Sequence, residues 1–199
     1  MKFIGITGGV GAGKSEILGY LASHYNAKVM LADEIAHDLM TPGTACYDII
    51  KKEFEAEEIF LPDGMIDRPK MAAVIFGDAK KRERMNAIVH PAVKEYILET
   101  YHREQQAGEL EYLILEAALL IEEHYDEICD ELWYIYTSEE NRRKRLKENR
   151  GYSDKKINTI FQSQLTEEVY RRHCKVVIDN NHTPEDAFLQ IRTYLDEEK

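Results

Sequence analysis

The stretch MKFIGITGGVGAGKSEILGYLAS, residues 1–23, decides the fold. It opens on a short apolar run, Phe3, Ile4 and Ile6, passes through a glycine-rich turn and continues at helical spacing. Inside it, Gly8-Gly9-Val10-Gly11-Ala12-Gly13-Lys14-Ser15 fits G-x-x-x-x-G-K-[ST], the phosphate-binding loop, flanked by the strand and helix that the motif requires. Glycines let the backbone turn sharply, so that successive N–H groups face one concavity. The helix behind the loop adds its free N-terminal N–H groups and the positive end of its dipole. In that arrangement Lys14 reaches the β- and γ-phosphates of a nucleotide and the Ser15 hydroxyl ligates Mg²⁺. Glu16 is the next residue into the helix, and Ile17, Leu18, Leu21 and Tyr25 give that helix an apolar side.

The rest of the chain sets bounds on what surrounds this loop. A length of 199 residues suits one globular domain with a substantial core and room for an inserted subdomain. No apolar run approaches the length of a membrane span, and the start lacks a signal peptide's basic and apolar regions, so a soluble cytoplasmic protein is expected. Cys46, Cys129 and Cys174 are widely spaced and form no metal motif, which agrees with a reducing compartment. Lys and Arg number 26 against 37 Asp and Glu, a formal charge of −11. That balance argues against a general nucleic-acid binder, and any anionic ligand must be held by a local basic pocket.

Outward from the loop, strands alternate with helices, the pattern of an α/β protein with a parallel sheet. Residues 28–33 read as a second strand ending in Asp33, and helical spacing follows through Ile35, Leu39, Tyr47, Ile50 and Phe54. Turns are expected at Thr41-Pro42-Gly43 and Leu61-Pro62-Asp63-Gly64. Asp67 caps the next helix with Pro69 in its first turn. Residues 67–106 read as several helices broken near Gly77-Asp78 and His90-Pro91, a helical insertion. Residues 112–116 and 132–136 are near-continuous apolar runs, the mark of strands covered on both faces, and residues 175–180 read as the last strand. Ser138 caps a basic helix, residues 151–173 are helical and polar, and Thr183-Pro184 opens the last helix with Phe188, Ile191 and Leu195 inward. Five strands with helical crossovers predict a three-layer fold with a five-stranded parallel sheet.

Ligands of open α/β sheets bind outside the carboxyl ends of the strands. Asp33 is at such an end, where it accepts the proton of an attacking hydroxyl, holds a water on Mg²⁺, or caps the following helix. Glu116 closes the third strand, either anchoring Mg²⁺ through water or standing as a solvated strand-end acid, and Glu122 has the same two readings. The basic helix carries Arg142, Arg143, Lys144, Arg145, Lys147 and Arg150. Arginines on a closing lid stabilise the charge that develops in phosphoryl transfer, and one or two of Arg142, Arg145 and Arg150 are assigned that role. The rest belong to a solvated face. Arg171 and Arg172 precede the last strand, in reach of a phosphate or a base.

Together these pieces resemble the dephospho-coenzyme A kinase family of the P-loop kinase superfamily. The likeness covers nearly the whole chain: Gly5 to Ser15, Ala32-Asp33-Glu34-Ile35-Ala36, Asp67-Arg68, Met85 to Pro91, Leu119 to Glu122, Gln164 and Val177-Ile178-Asp179-Asn180. The phosphate loop says only P-loop; the Asn86-x-x-x-His90-Pro91 segment and the Asp-Asn ending narrow it. The resemblance implies ATP and dephospho-coenzyme A as substrates, Mg²⁺ as cofactor, and the last step of coenzyme A synthesis as the reaction. It implies Asp33 as base at the ribose 3′-hydroxyl, and Lys14, Arg142 and Arg145 at the transferring phosphate. It further implies Arg68, His90 and Glu122 at the acceptor, with His90 contacting it or capping a helix before Pro91. Nothing in it implies nucleic acid or a membrane, and a monomer or weak homo-oligomer is expected. The implied layout is one P-loop kinase domain: a nucleotide-binding core over about 1–35, 110–137 and 174–199, an acceptor region over about 36–109, and a lid over about 138–173. Ala118 stands where the family has proline, Glu16 where it commonly has threonine, and the Arg145 to Arg150 spacing is one residue longer than expected.

The same loop serves kinases of nucleoside monophosphates or polyols, and nucleotide-dependent switches. A GTPase switch carries an Asn-Lys-x-Asp segment, and this sequence has none. Lys14→Ala is predicted to abolish most phosphoryl transfer while circular dichroism and thermal unfolding stay as in the wild type. Near-normal turnover in that folded variant would remove Lys14 from the chemistry.

Overall fold

The first apolar run forms β1 (Lys2–Thr7), and the loop after it feeds α1 (Lys14–His24). β2 (Ala27–Leu31) passes directly into α2 (Ala32–Leu39), followed by α3 (Ala45–Glu53), α4 (Arg68–Gly77) and α5 (Ala79–Ala107). Then come β3 (Tyr112–Glu116), β4 (Glu131–Tyr136), α6 (Glu139–Arg150), α7 (Asp154–Gln162), α8 (Glu167–His173), β5 (Val176–Asp179) and α9 (Pro184–Glu197). These elements are those of a computed structural model that describes residues 1–197.

The five strands make one parallel sheet in the order β2-β3-β1-β4-β5. β1 lies at its centre, with Ile4 opposite Ile114 of β3 on one side and Glu131 of β4 on the other. The chain leaves β1 for β2, returns to β3 beside β1, then crosses to β4 on the far side, so the order switches at β1. In such sheets the crevice opens at the carboxyl ends next to the switch, where the phosphate loop begins. Phe3, Ile4, Ile6, Leu113, Ile114, Leu115, Trp133 and Ile135 are wholly buried. That explains why these strands read as unbroken apolar runs.

The chain separates into two compact units, Met1–Val29 with Ala107–Lys199, and Met30–Gln106. The first holds nearly the whole sheet, the phosphate loop and α6 to α9. The second is helical, with Tyr47, Ile50, Phe54, Ile59, Met85, Val89, Val93 and Ile97 buried. Its Leu61–Gly64 turn is clipped by the Phe60–Ile66 bridge. The expected helix break at Gly77-Asp78 is present: the Asp78 carboxylate accepts from the backbone N–H of Lys80 at 2.8 Å as α5 begins. The expected break at His90-Pro91 is absent, because α5 runs through Pro91 as one helix of 29 residues. A proline forfeits one intrahelical hydrogen bond, but the stripe Met85, Val89, Val93, Ile97 is buried on both sides of it and favours continuing the helix through it.

At the amino end of β4, Glu131 is buried with a side-chain exposure of 0%. Its Oε1 accepts from Trp133 Nε1 at 2.7 Å; Oε2 accepts from Lys175 at 2.9 Å and from the Tyr194 hydroxyl at 2.9 Å, and lies 3.0 Å from Lys2. The knot ties β1, β4, the approach to β5, and α9 together. Burial pushes the Glu131 carboxyl up, but the donors Trp133, Lys175, Lys2 and Tyr194 outweigh it and hold the group below the ordinary glutamate value. A carboxylate with a lowered folded-state pKa contributes stability that is present above the unfolded value, about 4.3, and lost as pH falls through the folded one. Glu131→Gln is therefore expected to cost about 1.5–3 kcal/mol at pH 7, the worth of hydrogen bonds to a charged group. The gap to wild type should shrink below pH 4. Urea unfolding of both proteins at the two pH values checks this; an equal gap at both would dismiss the ionised carboxylate as its source.

Candidate functional site

The loop is shaped by contacts on its outer side. The Ala12 carbonyl accepts from Asn180 Nδ2 at 2.8 Å, from the Thr137 hydroxyl at 3.0 Å and from Arg145 Nη1 at 3.2 Å. Arg145 Nη2 also donates to the Asn180 carbonyl at 2.7 Å. Thr137 directly follows β4 and Asn180 directly follows β5, so two strand ends and α6 converge on one loop carbonyl. Gly13, the residue before α1, has φ 88°, and a Cβ there would lie 2.4 Å from Asn180 Nδ2. It is glycine for both reasons.

Asn181 fastens α6 to the same place. It takes the Ser138 N–H at 2.8 Å and Asn141 Nδ2 at 2.9 Å on its side-chain oxygen, and is itself held by Asp179. Ser138 caps α6 as expected from its sequence, accepting from the Asn141 N–H.

Lys14 folds back over the loop. Its Nζ donates to the Gly8 carbonyl at 2.8 Å and lies 3.4 Å from Glu116 Oε1. Glu116 thus closes β3 beside the loop lysine. Ser15 is exposed in the first turn of α1, and so is Glu16. A hydroxyl and one carboxylate are hard oxygen donors, the kind that suits Mg²⁺, which keeps waters and substrate phosphates for most of its shell. The donor set therefore fits that ion.

Arg142 and Arg145, grouped in the sequence reading, occupy different places. Arg145 is spent on the Ala12 and Asn180 carbonyls. Arg142 lies on Gly9: a Cβ built there would fall 1.5 Å from Arg142 Nη1. Gly9 has no positive φ, so what it supplies is room. The guanidinium is 4.3 Å from the Phe161 ring centroid and donates to Gln164 Oε1 at 2.9 Å. Close by, Tyr134 and Tyr170 stack at 4.7 Å. Burial pushes the Tyr170 phenol up to about 12, Glu122 adds to the rise and Arg142 opposes it, so Glu122 and Arg142 both act on this ring. Glu122 itself sits in a turn rather than a helix. Four other arginines have partners of their own. Arg143 bonds Glu139, Asp154 and Asn158; Arg171 bonds Glu167 and lies over Tyr136; Arg172 bonds Glu168. Arg150 holds the Tyr152 phenol below its ordinary range.

In the second unit, Asp33 lies in the first turn of α2. The cap residue is Leu31, with no side-chain cap bond, so Asp33 does not cap the helix. One turn further on, His37 Nε2 is 2.7 Å from Arg68 Nη2. These two and Met40, Thr41, Met65, Ile66 and Met71 line a small pocket that combines basic and apolar side chains. Arg84 is paired with Glu53. His90 is half-buried inside α5, which removes the helix-capping alternative.

Sequence reasoning missed the supports: Thr137, Asn181, Phe161, and the parts played by Asn180 and Gln164. The run Asp179-Asn180-Asn181 at the carboxyl end of an apolar strand was a usable signal for the first group. Nothing local marks Phe161.

Residues 2–186 match a family model described as dephospho-CoA kinase. The dephospho-CoA kinase of Geobacter sulfurreducens is 36% identical over 186 residues, covering 94% of this chain and 93% of its own. A crystal structure of TT1252 from Thermus thermophilus superposes with a TM-score of 0.80 at 26% identity, covering 100% of this chain and 98% of that one. The dephospho-CoA kinase structure from Campylobacter jejuni shares the fold, with a TM-score of 0.73 at 20% identity over 99% and 97% of the two chains.

Gly13→Ala tests the outer clamp. The left-handed conformation costs a side chain about 1–2 kcal/mol, and the new Cβ pushes Asn180 off Ala12. ATP affinity measured by calorimetry should fall by about tenfold or more, equivalent to about 1.4 kcal/mol, with a lowered melting temperature. Unchanged affinity would show that the loop holds its shape without the clamp.

Proposed function

The chain belongs to the dephospho-coenzyme A kinase family, and on that premise we propose how its residues divide the work. The enzyme is a kinase of dephospho-coenzyme A that uses ATP and carries out the last step of coenzyme A synthesis. The phosphates of ATP take the loop N–H groups and draw Lys14 off the Gly8 carbonyl onto the β- and γ-phosphates. Arg142 meets the γ-phosphate from its place on Gly9 and stabilises the charge that develops as transfer proceeds. Arg145 acts through the loop, whose outer carbonyl it fixes.

Asp33 accepts the proton of the acceptor ribose 3′-hydroxyl. That oxygen forms a bond to the γ-phosphorus, the bond from the γ-phosphorus to the β–γ bridging oxygen breaks, and ADP departs with the electron pair. Ser15 and, through water, Glu116 would hold Mg²⁺, which when bound neutralises charge on the β- and γ-phosphates. Arg68 with His37 takes the acceptor's diphosphate, and the methionines that line the same pocket take its apolar arm. His90 and Glu122 complete the acceptor contacts.

The observation that carries this division is the separation of the two arginines: Arg145 is engaged by backbone carbonyls, and Arg142 lies on loop residue Gly9. The assignment of the base is tested by Asp33→Asn, which keeps the shape and removes the proton acceptor. Turnover should fall by about 10²- to 10⁴-fold, the usual contribution of a positioned base, while ATP affinity changes little. Collapse of ATP binding with turnover at saturation preserved would move Asp33 to the nucleotide or metal.

A further inference from the structure

Arg142 projects from α6, yet the groups that orient its guanidinium come from elsewhere. Phe161 lies near the end of α7, and Gln164 lies two residues past that helix. The backbone N–H of Gln164 donates to the Phe161 carbonyl at 3.3 Å, so one turn of chain presents both side chains together. The ring supports the guanidinium face at 4.3 Å, and Gln164 Oε1 takes Nη1 at 2.9 Å. The same Oε1 is 3.1 Å from the point where a Gly9 Cβ would stand. Nη1 and its acceptor are thus both pressed against the loop backbone. Nε is buried without a hydrogen-bond partner among the described residues, so the Gln164 bond is the polar contact that sets the rotation of the group.

We propose that Gln164 is a positioning residue for phosphoryl transfer, its amide oxygen fixing the Arg142 guanidinium over Gly9 before the nucleotide arrives. This rests on the reading that Arg142 acts on the transferring phosphate. The amide suits the task better than a carboxylate. A neutral acceptor orients the cation without cancelling the charge that the phosphate must meet, whereas a glutamate would form an ion pair that the phosphate has to break. Preorganisation is what is gained. A guanidinium already aimed does not have to be ordered during the reaction, and a misplacement of about 1 Å can cost on the order of 10²-fold in rate.

The test is a double-mutant cycle on the full chain, with Gln164→Leu, Gln164→Glu, Arg142→Ala and the double variant Arg142→Ala/Gln164→Leu, each checked for folding by thermal unfolding. Gln164 is half-buried on the surface of the first unit, so the substitutions should fold. Gln164→Leu is expected to lower kcat by about 10- to 100-fold, with the KM for ATP within about threefold. Gln164→Glu, which keeps the acceptor, should fall between wild type and Gln164→Leu. In the Arg142→Ala background the further loss from Gln164→Leu should be less than about twofold, because the residue acts through the arginine. Equal losses in both backgrounds, a rise in KM with kcat preserved, or no loss at all would each overturn the role of Gln164. Normal turnover in Arg142→Ala would instead overturn the reading of the arginine itself.

Discussion

The carbonyl of Ala12 is the point on which the nucleotide site depends. A phosphate-binding loop works only if its N–H groups converge, and that requires its carbonyls to be held the other way. A backbone carbonyl accepting from a buried asparagine, a threonine and an arginine is strongly constrained. All three donors come from the carboxyl side of the sheet: Thr137 after β4, Asn180 after β5 and Arg145 on α6. The last strand is thus needed to shape a loop made from the first, although 168 positions separate Ala12 from Asn180.

The chain carries a net charge of −11 yet has a phosphate-binding loop, and the distribution of its cations resolves the apparent conflict. Several cations outside the site are paired with acids, among them Lys81, Arg84, Arg143, Lys147, Arg171 and Arg172. Those at the loop are held by neutral or weakly competing partners: Lys14 by a carbonyl, Arg142 by an amide and a ring, Arg145 by two carbonyls. Such partners orient a cation while leaving its charge available. Glu116 is the exception, a carboxylate 3.4 Å from Lys14. At the opposite end of the strands the logic reverses. Glu131 is buried among Lys2, Lys175, Trp133 and Tyr194, every acceptor is satisfied, and the arrangement stabilises the sheet without serving a ligand.

Within the helical unit, α5 shows how packing overrides a local signal. Proline disfavours helix at its own position by a fixed amount, whereas a buried stripe spanning both sides of it contributes at every turn. The sum favours one continuous helix, and His90 becomes a side chain on a helix face. The pocket around Arg68 is a product of the same unit: α2 supplies His37 and Met40, and α4 with the turn before it supplies Met65, Ile66, Arg68 and Met71.

Much of the fold was legible in the amino-acid order alone. The sheet, its parallel sense, the loop and its lysine, the caps at Ser138 and Asp67, and Glu116 at the end of β3 all follow from patterns a few residues long, whereas Asp33, expected to end the second strand, lies in the first turn of α2 because β2 stops at Leu31. Periodicity, turn chemistry and the G-x-x-x-x-G-K-[ST] spacing are short-range properties. What the order could not carry is which cation does what. Arg142 and Arg145 are three residues apart on a helix rich in basic residues, and by composition they are equivalent. Their separation was decided by what packs against each face of α6: a loop carbonyl and a strand end on one side, Phe161, Gln164 and Gly9 on the other. Those partners lie up to 133 positions away. No local pattern records such distances, because tertiary contacts select side chains by shape and hydrogen-bond complementarity rather than by spacing along the chain.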